Sequence, residues 1–570
     1  MSEIQNRVMN LSHEFQGRNA AIAENFKLLA QVDELADPNL QSFVSNDPRT
    51  LWNMGTFLLQ PNPLTHTVTR IDESPLDDEQ STAADIVSKL LARTWRRRNN
   101  ANMRRGSASF FWDVIGNLTA TGWFAIPRMA ESGSLFVDFW EPSKTYPNFS
   151  DDIDIGLYEL GRMQITRMKD AKRRAAKNGW DTRGILNPDH AIVAEYQLWE
   201  RFPDGTVRHG VSFGAAEVKP MTVAPNLREI PVSIGAVGGI PSNAETFWQT
   251  VHTSDRQHGG IVRADRNSMR GQSIMATNEK VFAQLNVQQT FLQQLLHDIA
   301  NPKTYEKSMG NKKIVNNADD WQKRGAHFYL GQQDELGAIA FPSIPPEGTQ
   351  LLFSLRNMIQ RGGFSDITFG NIVNEVTALV MAQSAESAQQ VIFPFHQAGE
   401  FIFSEVDTVW LEGLLRNPAG FGNHVSQAEV EALKILRPIG QELEAQASYA
   451  IKVPGDLAAR LSMAKSASPN FAISADTAMK MFVPEIVDAR KERENVRQDK
   501  AEQHPAWISI NTIHNLREAS RELAQDNPRL SQLYDSVANV MQENVTQQQV
   551  PSPNQGGQQD AVLSTLMGDR

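Results

Sequence analysis

The stretch from Gly271 to Ile299 constrains the fold most, because it reads as one long helix that is apolar along a single stripe. Leucine, valine, phenylalanine and isoleucine recur at helical spacing, and glutamines occupy much of the remaining surface. At ~1.5 Å per residue the predicted helix is about 44 Å long, and Asn301-Pro302 ends it. A helix of this kind buries little apolar area alone, so it needs neighbours.

A second helix is predicted from about Glu347 to Gln360, and Gly362-Gly363 stops it. The segment between the two helices, 303–345, is polar and is interrupted by glycine and proline, with strand candidates at 313–315, 327–330 and 338–341. Two helices that enclose a small insertion form a protruding stalk. Identical neighbours in a ring are the simplest supply of the packing that such a stalk needs.

The composition describes a large, acidic chain without cysteine. Its 570 residues include 55 Lys and Arg and 66 Asp and Glu, which gives a formal net charge of −11. This balance argues against a protein that coats nucleic acid with a basic face, but not against one that nucleic acid merely passes. With 21% charged and 41% apolar residues, the chain is expected to fold. The absence of cysteine excludes disulfides, thiolate metal sites and cysteine nucleophiles.

Membrane, secretory and ATPase signatures are also missing from the sequence. No uninterrupted apolar run approaches about 18 residues, and the polar N-terminus has no apolar core followed by a cleavage site. No Gly-Lys dipeptide occurs, so the phosphate-binding loop that ends in Lys-Ser/Thr is absent. We therefore expect a soluble protein that is not an enzyme and that needs no cofactor or metal.

The remaining pattern predicts an α+β chain that is mostly helical. An amphipathic helix is expected over 1–35, ended by Pro38 and Pro48, and 62–78 reads as a loop. The mixed region that follows has helices at 81–105, 107–118 and 164–177, and strands at 122–129, 134–140, 192–202, 206–218 and 231–237. Beyond the stalk we expect a long helix from about 373 that is kinked at Pro394, a strand at 448–453, helices at 475–500, 512–524 and 528–543, and a disordered tail.

One motif points to a different class of protein. Gly210 to Gly214 reads GVSFG, which matches the nucleophile elbow of serine hydrolases with Ser212 as the nucleophile. That elbow needs a strand, a strained turn and a helix, whereas Ser212 lies in a run that reads as continuous strand. A structural serine is therefore favoured, and a serine hydrolase is the alternative from another class.

Two basic clusters stand out against the acidic total. Lys89 to Arg105 carries seven positive residues and no negative one, and Arg162 to Lys177 carries seven positive residues and Asp170. A solvated helix face or an ion-pair surface between subunits accounts for either cluster, and contact with phosphate is the sharper alternative. The candidate surface residues are Arg96, Arg97, Arg98, Arg104, Arg105, Lys172, Arg173 and Arg174.

The order of these elements resembles the portal, or head–tail connector, proteins of tailed bacteriophages. The resemblance covers most of the chain beyond about residue 80, and it lies in the layout rather than in one motif. GQSIMATNEKVFAQLNVQQTFLQQLLHDIANP, from Gly271, resembles the first stem helix, and GTQLLFSLRNMIQRGGFSDITFGN, from Gly348, resembles the second stem helix and the tunnel loop. FAISADTAMKMFVPEIVDARKERENVRQDKAE, from Phe471, is similar to the entry to the crown, with Val483-Pro484-Glu485 where the family often has Asp-Pro-Glu.

The resemblance implies a ring, usually of twelve subunits, at one capsid vertex, through which double-stranded DNA is packaged and later ejected. The implied partners are the terminase large subunit, which supplies ATP hydrolysis, head–tail adaptor or tail proteins, and the major capsid and scaffolding proteins. The implied location is the virion, after assembly in the host cytoplasm. Another head–tail adaptor or minor capsid protein is the alternative among virion proteins, although adaptors are usually far shorter.

The resemblance also divides the chain into regions. These are an N-terminal helical arm and loop (1–79), the wing (80–270), the first stem helix (271–300), the clip (301–345), the second stem helix (346–362), the tunnel loop (363–372), a long helix that returns to the wing (373–474), the crown (475–543) and a disordered tail (544–570).

Two sets of site residues follow from this division. The channel constriction is expected to consist of Phe364, Ser365, Asp366, Thr368, Phe369 and Asn371, although the two phenylalanines could equally pack under the loop. The residues expected to line or rim the clip are Lys307, Lys312, Lys313, Lys323 and Arg324.

Overall fold

The chain divides into two compact units, Met1–Ala459 and Arg460–Arg570. The computed structural model describes residues 1–33, 35, 42–61, 63–72, 74–131, 133–150, 152, 156–183, 185, 188–225, 227–238, 270–300, 304–307, 330, 332–338, 346–364, 378–422, 424–451, 496–497, 505–523 and 528–548. The fold class is α+β and mostly helical, as the sequence predicts. No helix in these ranges is both long enough and apolar enough to cross a membrane.

The first unit contains most of the described helices. They are α1 (Glu3–Glu14), α2 (Gln16–Ala30), α3 (Asp47–Leu59), α4 (Asp78–Arg104), α5 (Phe110–Thr121), α6 (Met168–Lys177), α7 (Glu279–Ala300), α8 (Pro346–Arg361), α9 (Ala378–Arg416) and α10 (Gln427–Leu436). The boundaries follow local chemistry: Asp77 and Gln80 form a capping box at the start of α4. Gly122 ends α5 with a φ of 68°, and a Cβ there would overlap the backbone of Gln272, so glycine is required.

The strands form small antiparallel sheets. They are β1 (Thr65–Arg70), β2 (Trp123–Glu131), β3 (Ser134–Val137), β4 (Thr145–Phe149), β5 (Leu157–Arg167), β6 (Ile192–Arg201), β7 (Val207–Phe213), β8 (Ala216–Val223), β9 (Val232–Ala236), β10 (Thr304–Lys307), β11 (Glu335–Ala338) and β12 (Leu443–Ser448). The largest sheet is a meander in the order β4-β5-β6-β7-β8, and a second has the order β3-β2-β9. Two pairs, β1 with β12 and β10 with β11, complete the described sheets.

The main core lies among α4, α5 and α9, which pack against β1, β2 and β12. Its centre is aromatic, with the ring centroids of Trp95 and Trp410 5.0 Å apart. A buried polar group sits among these rings: Asp407 accepts a hydrogen bond from the Trp95 indole at 2.6 Å and contacts His66 Nδ1 at 2.5 Å. Burial raises the pKa of Asp407, and His66 opposes that shift. The side chain of Asp407 in α9 therefore joins α4 and β1, which are distant from it in the sequence.

The five-stranded meander is covered by a helix on each face. Ile4 and Val8 of α1 pack with Tyr196 and Leu198 of β6 on one face. Met168 and the small residues of α6 pack with odd-numbered residues of β6 and β7 on the other. Alternating side chains point to opposite faces of a strand, so this pattern fixes the register of the sheet.

His209 in β7 gives the sheet a predictable response to acid. Its ring stacks on Trp199, and Lys219 Nζ lies 2.8 Å from its Nδ1. Burial, with a smaller contribution from the charge of Lys219, lowers the pKa of His209 well below 6.5. The folded state thus holds a neutral ring, while the unfolded chain takes up a proton below a pH of about 6.5, so stability is lost as the pH falls.

We expect that loss to reach at most about 1.4 kcal/mol per pH unit below pH ~6.5. The His209→Gln variant keeps an acceptor for Lys219 but cannot titrate in this range, so its urea denaturation midpoint should depend less on pH between 7 and 5. Identical pH dependence in the wild type and the variant would contradict this account.

The N-terminal region departs from the sequence prediction in three places. The single helix expected over 1–35 is two helices that meet at Phe15, whose ring packs against Trp123 and Tyr146. Pro48 does not break a helix but lies in the first turn of α3, where proline is well tolerated. The loop expected over 62–78 contains β1, whose partner strand is remote in the sequence.

Other boundaries also differ from the predictions. Residues 164–167 belong to β5 rather than to the basic helix, and the run at 206–218 is two strands, β7 and β8. The strand expected at 448–453 lies earlier in the chain, as β12, and ends at Ser448. The first stalk helix begins at Glu279 instead of Gly271, so its 22 residues span about 33 Å at ~1.5 Å per residue. The hairpin of β2 and β3, the hairpin of β6 and β7, and α8 are confirmed.

The second unit is described as a helical hairpin of α11 (Pro505–Leu523) and α12 (Pro528–Gln548), close to the predicted helices at 512–524 and 528–543. The Ser520 hydroxyl donates to the Ser531 carbonyl at 2.9 Å, and Arg517 donates to Asn539 at 3.1 Å. Because α12 extends to Gln548, the first five residues of the predicted disordered tail are helical. Residues 549–570 and most of the helix predicted at 475–500 lie outside the described residues.

Candidate functional site

The two stalk helices pack against each other as the sequence predicts. Leu285 of α7 is buried against Leu352 and Leu355 of α8. Asn278, just before α7, donates to the carbonyl of Ile359 near the end of α8 at 2.8 Å. The start of α7 therefore lies beside the end of α8, so the two helices are antiparallel.

Within the first unit, α7 is held to the segment before α3 by contacts that the sequence analysis did not predict. The Thr290 hydroxyl accepts a hydrogen bond from Phe43 N, and the Asn286 side-chain oxygen accepts one from Ser45 N, both at 2.9 Å. Asn286 and Thr290 both lie on the polar part of the helix surface, outside the apolar stripe. No local pattern could assign them a partner about 240 residues away.

Large apolar side chains are exposed along the stalk. Phe353 of α8 is 61% exposed and Phe291 of α7 is 56% exposed, and Leu351 and Met358 of α8 are also exposed. Leu351 and Phe353 are two residues apart, which is about 200° around a helix with 3.6 residues per turn. Met358 follows Leu351 by about two turns and shares its side. The α8 helix thus has an apolar flank on each side of its buried face, and both flanks are exposed in the part of the chain that the structure describes.

Phe364, which the resemblance assigns to the constriction, is buried in the chain. Its ring is 2% exposed and belongs to the main core, near Leu51 and Gly55 of α3. Its ring ties the end of the second stalk helix to the core. Ser365, Asp366, Thr368, Phe369 and Asn371 lie outside the described residues.

The end of the stalk carries a two-stranded pair, β10 with β11. The Tyr305 hydroxyl donates to Glu335 at 2.9 Å, and this bond raises the pKa of the tyrosine. Lys307 is exposed at the end of β10, where a rim residue is expected. Lys312, Lys313, Lys323 and Arg324 lie outside the described residues, so the clip set remains a prediction.

Three of the seven cations of the second basic cluster, all on α6, form ion pairs with described residues. Lys172 bonds Asp189 at 2.8 Å, Arg173 bonds Asp170 at 3.1 Å, and Arg174 pairs with the buried Glu195. The hydrogen bond from Lys172 lowers the pKa of Asp189. These three carboxylates offset part of the charge of the seven cations in the cluster.

The first basic cluster, on α4, is only partly paired. Arg93 bonds Glu429 and the His424 carbonyl, each at 2.8 Å, and Arg98 bonds Asp138 at 2.7 Å. The outward-facing residues Arg96, Arg97, Arg104 and Arg105 are exposed, and none of them has an ion pair with the part of the chain that the structure describes. Two of the seven cations of the first cluster therefore have a carboxylate partner among the described residues, and four of the others are exposed along α4.

Ser212 is not placed as a catalytic nucleophile. It lies inside β7 opposite Tyr196 and is fully buried, on the same sheet face as Gly210, where a Cβ would press on Ile4 of α1. His209 is three residues away on the same strand, so its side chain points to the other face. The favoured structural reading of Ser212 is confirmed, and the elbow required for the hydrolase alternative is not formed.

Comparisons with known proteins give no family. No protein-family model matches the chain, and no curated protein matches it. Among solved structures, it is similar to a chain in the neck of a native GTA particle computed with C12 symmetry, with a TM-score of 0.37 and 11% identity over 77% of this chain and 90% of that chain.

Two further particle structures give similar values. A chain in the neck of an empty GTA particle computed with C6 symmetry matches with a TM-score of 0.39 and 11% identity over 80% of this chain and 93% of that one. A chain in the virion of a native gene transfer agent particle matches with a TM-score of 0.38 and 11% identity, covering 82% and 98% of the two chains. Scores of this size do not establish a common fold.

Proposed function

We propose that the chain is a structural protein of a phage-like particle and, more specifically, the subunit of a portal ring through which double-stranded DNA enters and leaves the capsid. The observation that carries the proposal is the stalk: two antiparallel helices, a two-stranded pair at the far end and apolar flanks on both sides of α8.

Two separate flanks favour a ring over a two-fold dimer. A dimer interface uses the same patch on both subunits, whereas a ring joins one patch of each copy to a different patch of the next. The flank of Leu351 and Met358 can therefore meet the Phe353 flank of a neighbouring stalk. Exposed apolar surface of this kind marks an interaction site in a soluble protein.

The C-terminal hairpin supplies a second surface suited to contacts between copies. Ala538 of α12 is buried against α11, while four apolar residues on another side of α12 are exposed. These residues are Leu530, Leu533, Val537 and Val540. Their spacing of three, four and three residues is that of a coiled-coil seam. We propose that the same hairpin of a neighbouring copy packs there.

The remaining roles are part of this proposal. The constriction would be formed by residues that follow Phe364, namely Ser365, Asp366, Thr368, Phe369 and Asn371. The clip would meet the terminase large subunit and later the head–tail adaptor or tail, through Lys307, Lys312, Lys313, Lys323 and Arg324. The wing would meet major capsid and scaffolding proteins in the virion. A net charge of −11 per subunit suits a passage that must not grip DNA.

Deleting 365–371 tests the constriction. This deletion spares Phe364, so the core contact and the ring should survive. The particles should package less DNA or lose more of it after packaging. The readouts are particle assembly by electron microscopy and nuclease-protected DNA per particle. The matched control shortens the loop between Gly179 and Pro188, which is far from the stalk in sequence. Unchanged packaging and retention in the deletion variant would contradict the loop assignment.

A further inference from the structure

We propose that the outward face of α4 is a binding surface for the phosphate backbone of duplex DNA. The contact lies on the surface of one subunit, so it can be measured without the ring. The residues that carry it are Lys89, Arg96, Arg97, Asn100 and Arg104.

These five side chains share one side of the helix. At 3.6 residues per turn they fall within a sector of about 100°, and from Lys89 to Arg104 they extend for about 22 Å. That length corresponds to about six successive phosphates of one strand at ~3.4 Å each. Over this span α4 has no acidic residue; Asp85 lies one turn before Lys89.

The structure separates these residues from the arginines that have internal roles. Arg93 and Arg98 bond Glu429 and Asp138, and the guanidinium of Arg98 lies 4.8 Å from the centroid of the Phe110 ring. The outward-facing cations have no such carboxylate in the described part of the chain. They therefore keep their full charge on a protein whose total charge is negative.

The chemistry of the patch favours phosphate over other anions. Three of its four cations are arginines, whose planar forks bind phosphate oxygens in a bidentate manner. Asn100 adds a neutral donor of the kind that also contacts phosphates. The sole aromatic residue between 89 and 105, Trp95, is buried, so no ring is available to stack on the bases of a single strand. A duplex bound through its backbone fits these features.

The test compares two variants that each remove three positive charges from the full chain. One is R96Q/R97Q/R104Q on the proposed surface. The control is K172Q/R173Q/R183Q, whose cations are already paired with Asp189, Asp170 and Asp181. Binding of a fluorescein-labelled 20-base-pair duplex is followed by fluorescence anisotropy at several salt concentrations, and circular dichroism checks the fold.

We expect the α4 variant to bind at least about 10-fold more weakly near 100 mM salt, and the slope of log K against log salt to fall by up to about 3, because each lost phosphate contact removes ~0.9. The control should stay within about 2-fold of the wild type. Equal losses in both variants, or no loss in the α4 variant, would overturn the proposal. Arginine-dependent binding to poly-glutamate that is tighter than binding to DNA would replace it with an acidic protein partner.

Discussion

The Phe353→Glu variant is expected to purify as a folded monomer of 63.6 kDa, while the wild-type chain purifies as a ring of about twelve subunits. Phe353 is the most exposed of the apolar side chains on α8, and the proposed contact places it against the stalk of the next copy. Burial of a Phe side chain contributes about 1.5–3 kcal/mol. A glutamate in the same place would have to lose its hydration without a partner, and this cost recurs at every interface of the ring.

Ile192→Glu is the matched control for this change. Ile192 is 73% exposed at the start of β6, so the substitution makes the same exchange of an apolar for a charged side chain away from the stalk. Light scattering coupled to size exclusion measures the mass of both variants. The control should remain a ring. If Phe353→Glu also remains a ring at micromolar concentration, the stalk flank is not the contact between subunits.

The Asp407→Ala variant is expected to lose at least about 1–3 kcal/mol of stability, the cost of leaving a buried hydrogen-bonding group without its partner. Asp407 is fully buried, accepts a hydrogen bond from the Trp95 indole and contacts His66 Nδ1. Without it, the Trp95 indole N–H would be left without a partner in the core, which is costly in an apolar setting. Urea denaturation followed by tryptophan fluorescence is a suitable measurement, because Trp95 and Trp410 lie beside the site.

Asp189→Ala provides the comparison. It also removes a paired carboxylate, but this one is exposed and bonds Lys172 at the surface, where an ion pair contributes little. Its denaturation midpoint should stay close to that of the wild type. Equal shifts in the two variants would mean that the buried Asp407 does not join β1, α4 and α9.

Local patterns in the sequence predict much of the fold. The apolar spacing and the capping residues of α4 are enough to place it within a few residues, and the turn residues Pro203-Asp204-Gly205 place the hairpin of β6 and β7. The mostly helical α+β class follows from the same signals.

What the sequence did not predict depends on partners far away along the chain. β1 reads as a loop because its Thr-rich residues become a strand only when they pair with β12, about 380 residues later. The helix pattern before Glu279 is broken because the chain there packs against Gly122 and α3. Tertiary contacts override local preference in both cases.

Some parts of the candidate site could also be predicted from the sequence, and others could not. The stalk helices could be predicted, but the end strands could not: β10 lies outside the strand candidates, and β11 overlaps the candidate at 338–341 only at Ala338. The burial of Phe364 could not be predicted either, since its contacts come from α3. The ion pairs of the two basic clusters could not be predicted either. Asp189 and Glu195 lie outside the second cluster, and Glu429 is more than 300 residues from the first.

Imaging the purified full-length chain tests the central claim most directly. Negative-stain electron microscopy, with the mass measured by light scattering on the same sample, should reveal rings with an axial hole and a mass of about twelve times 63.6 kDa. A monodisperse monomer of 63.6 kDa with no ring at any concentration up to about 10 mg/ml would contradict the portal assignment.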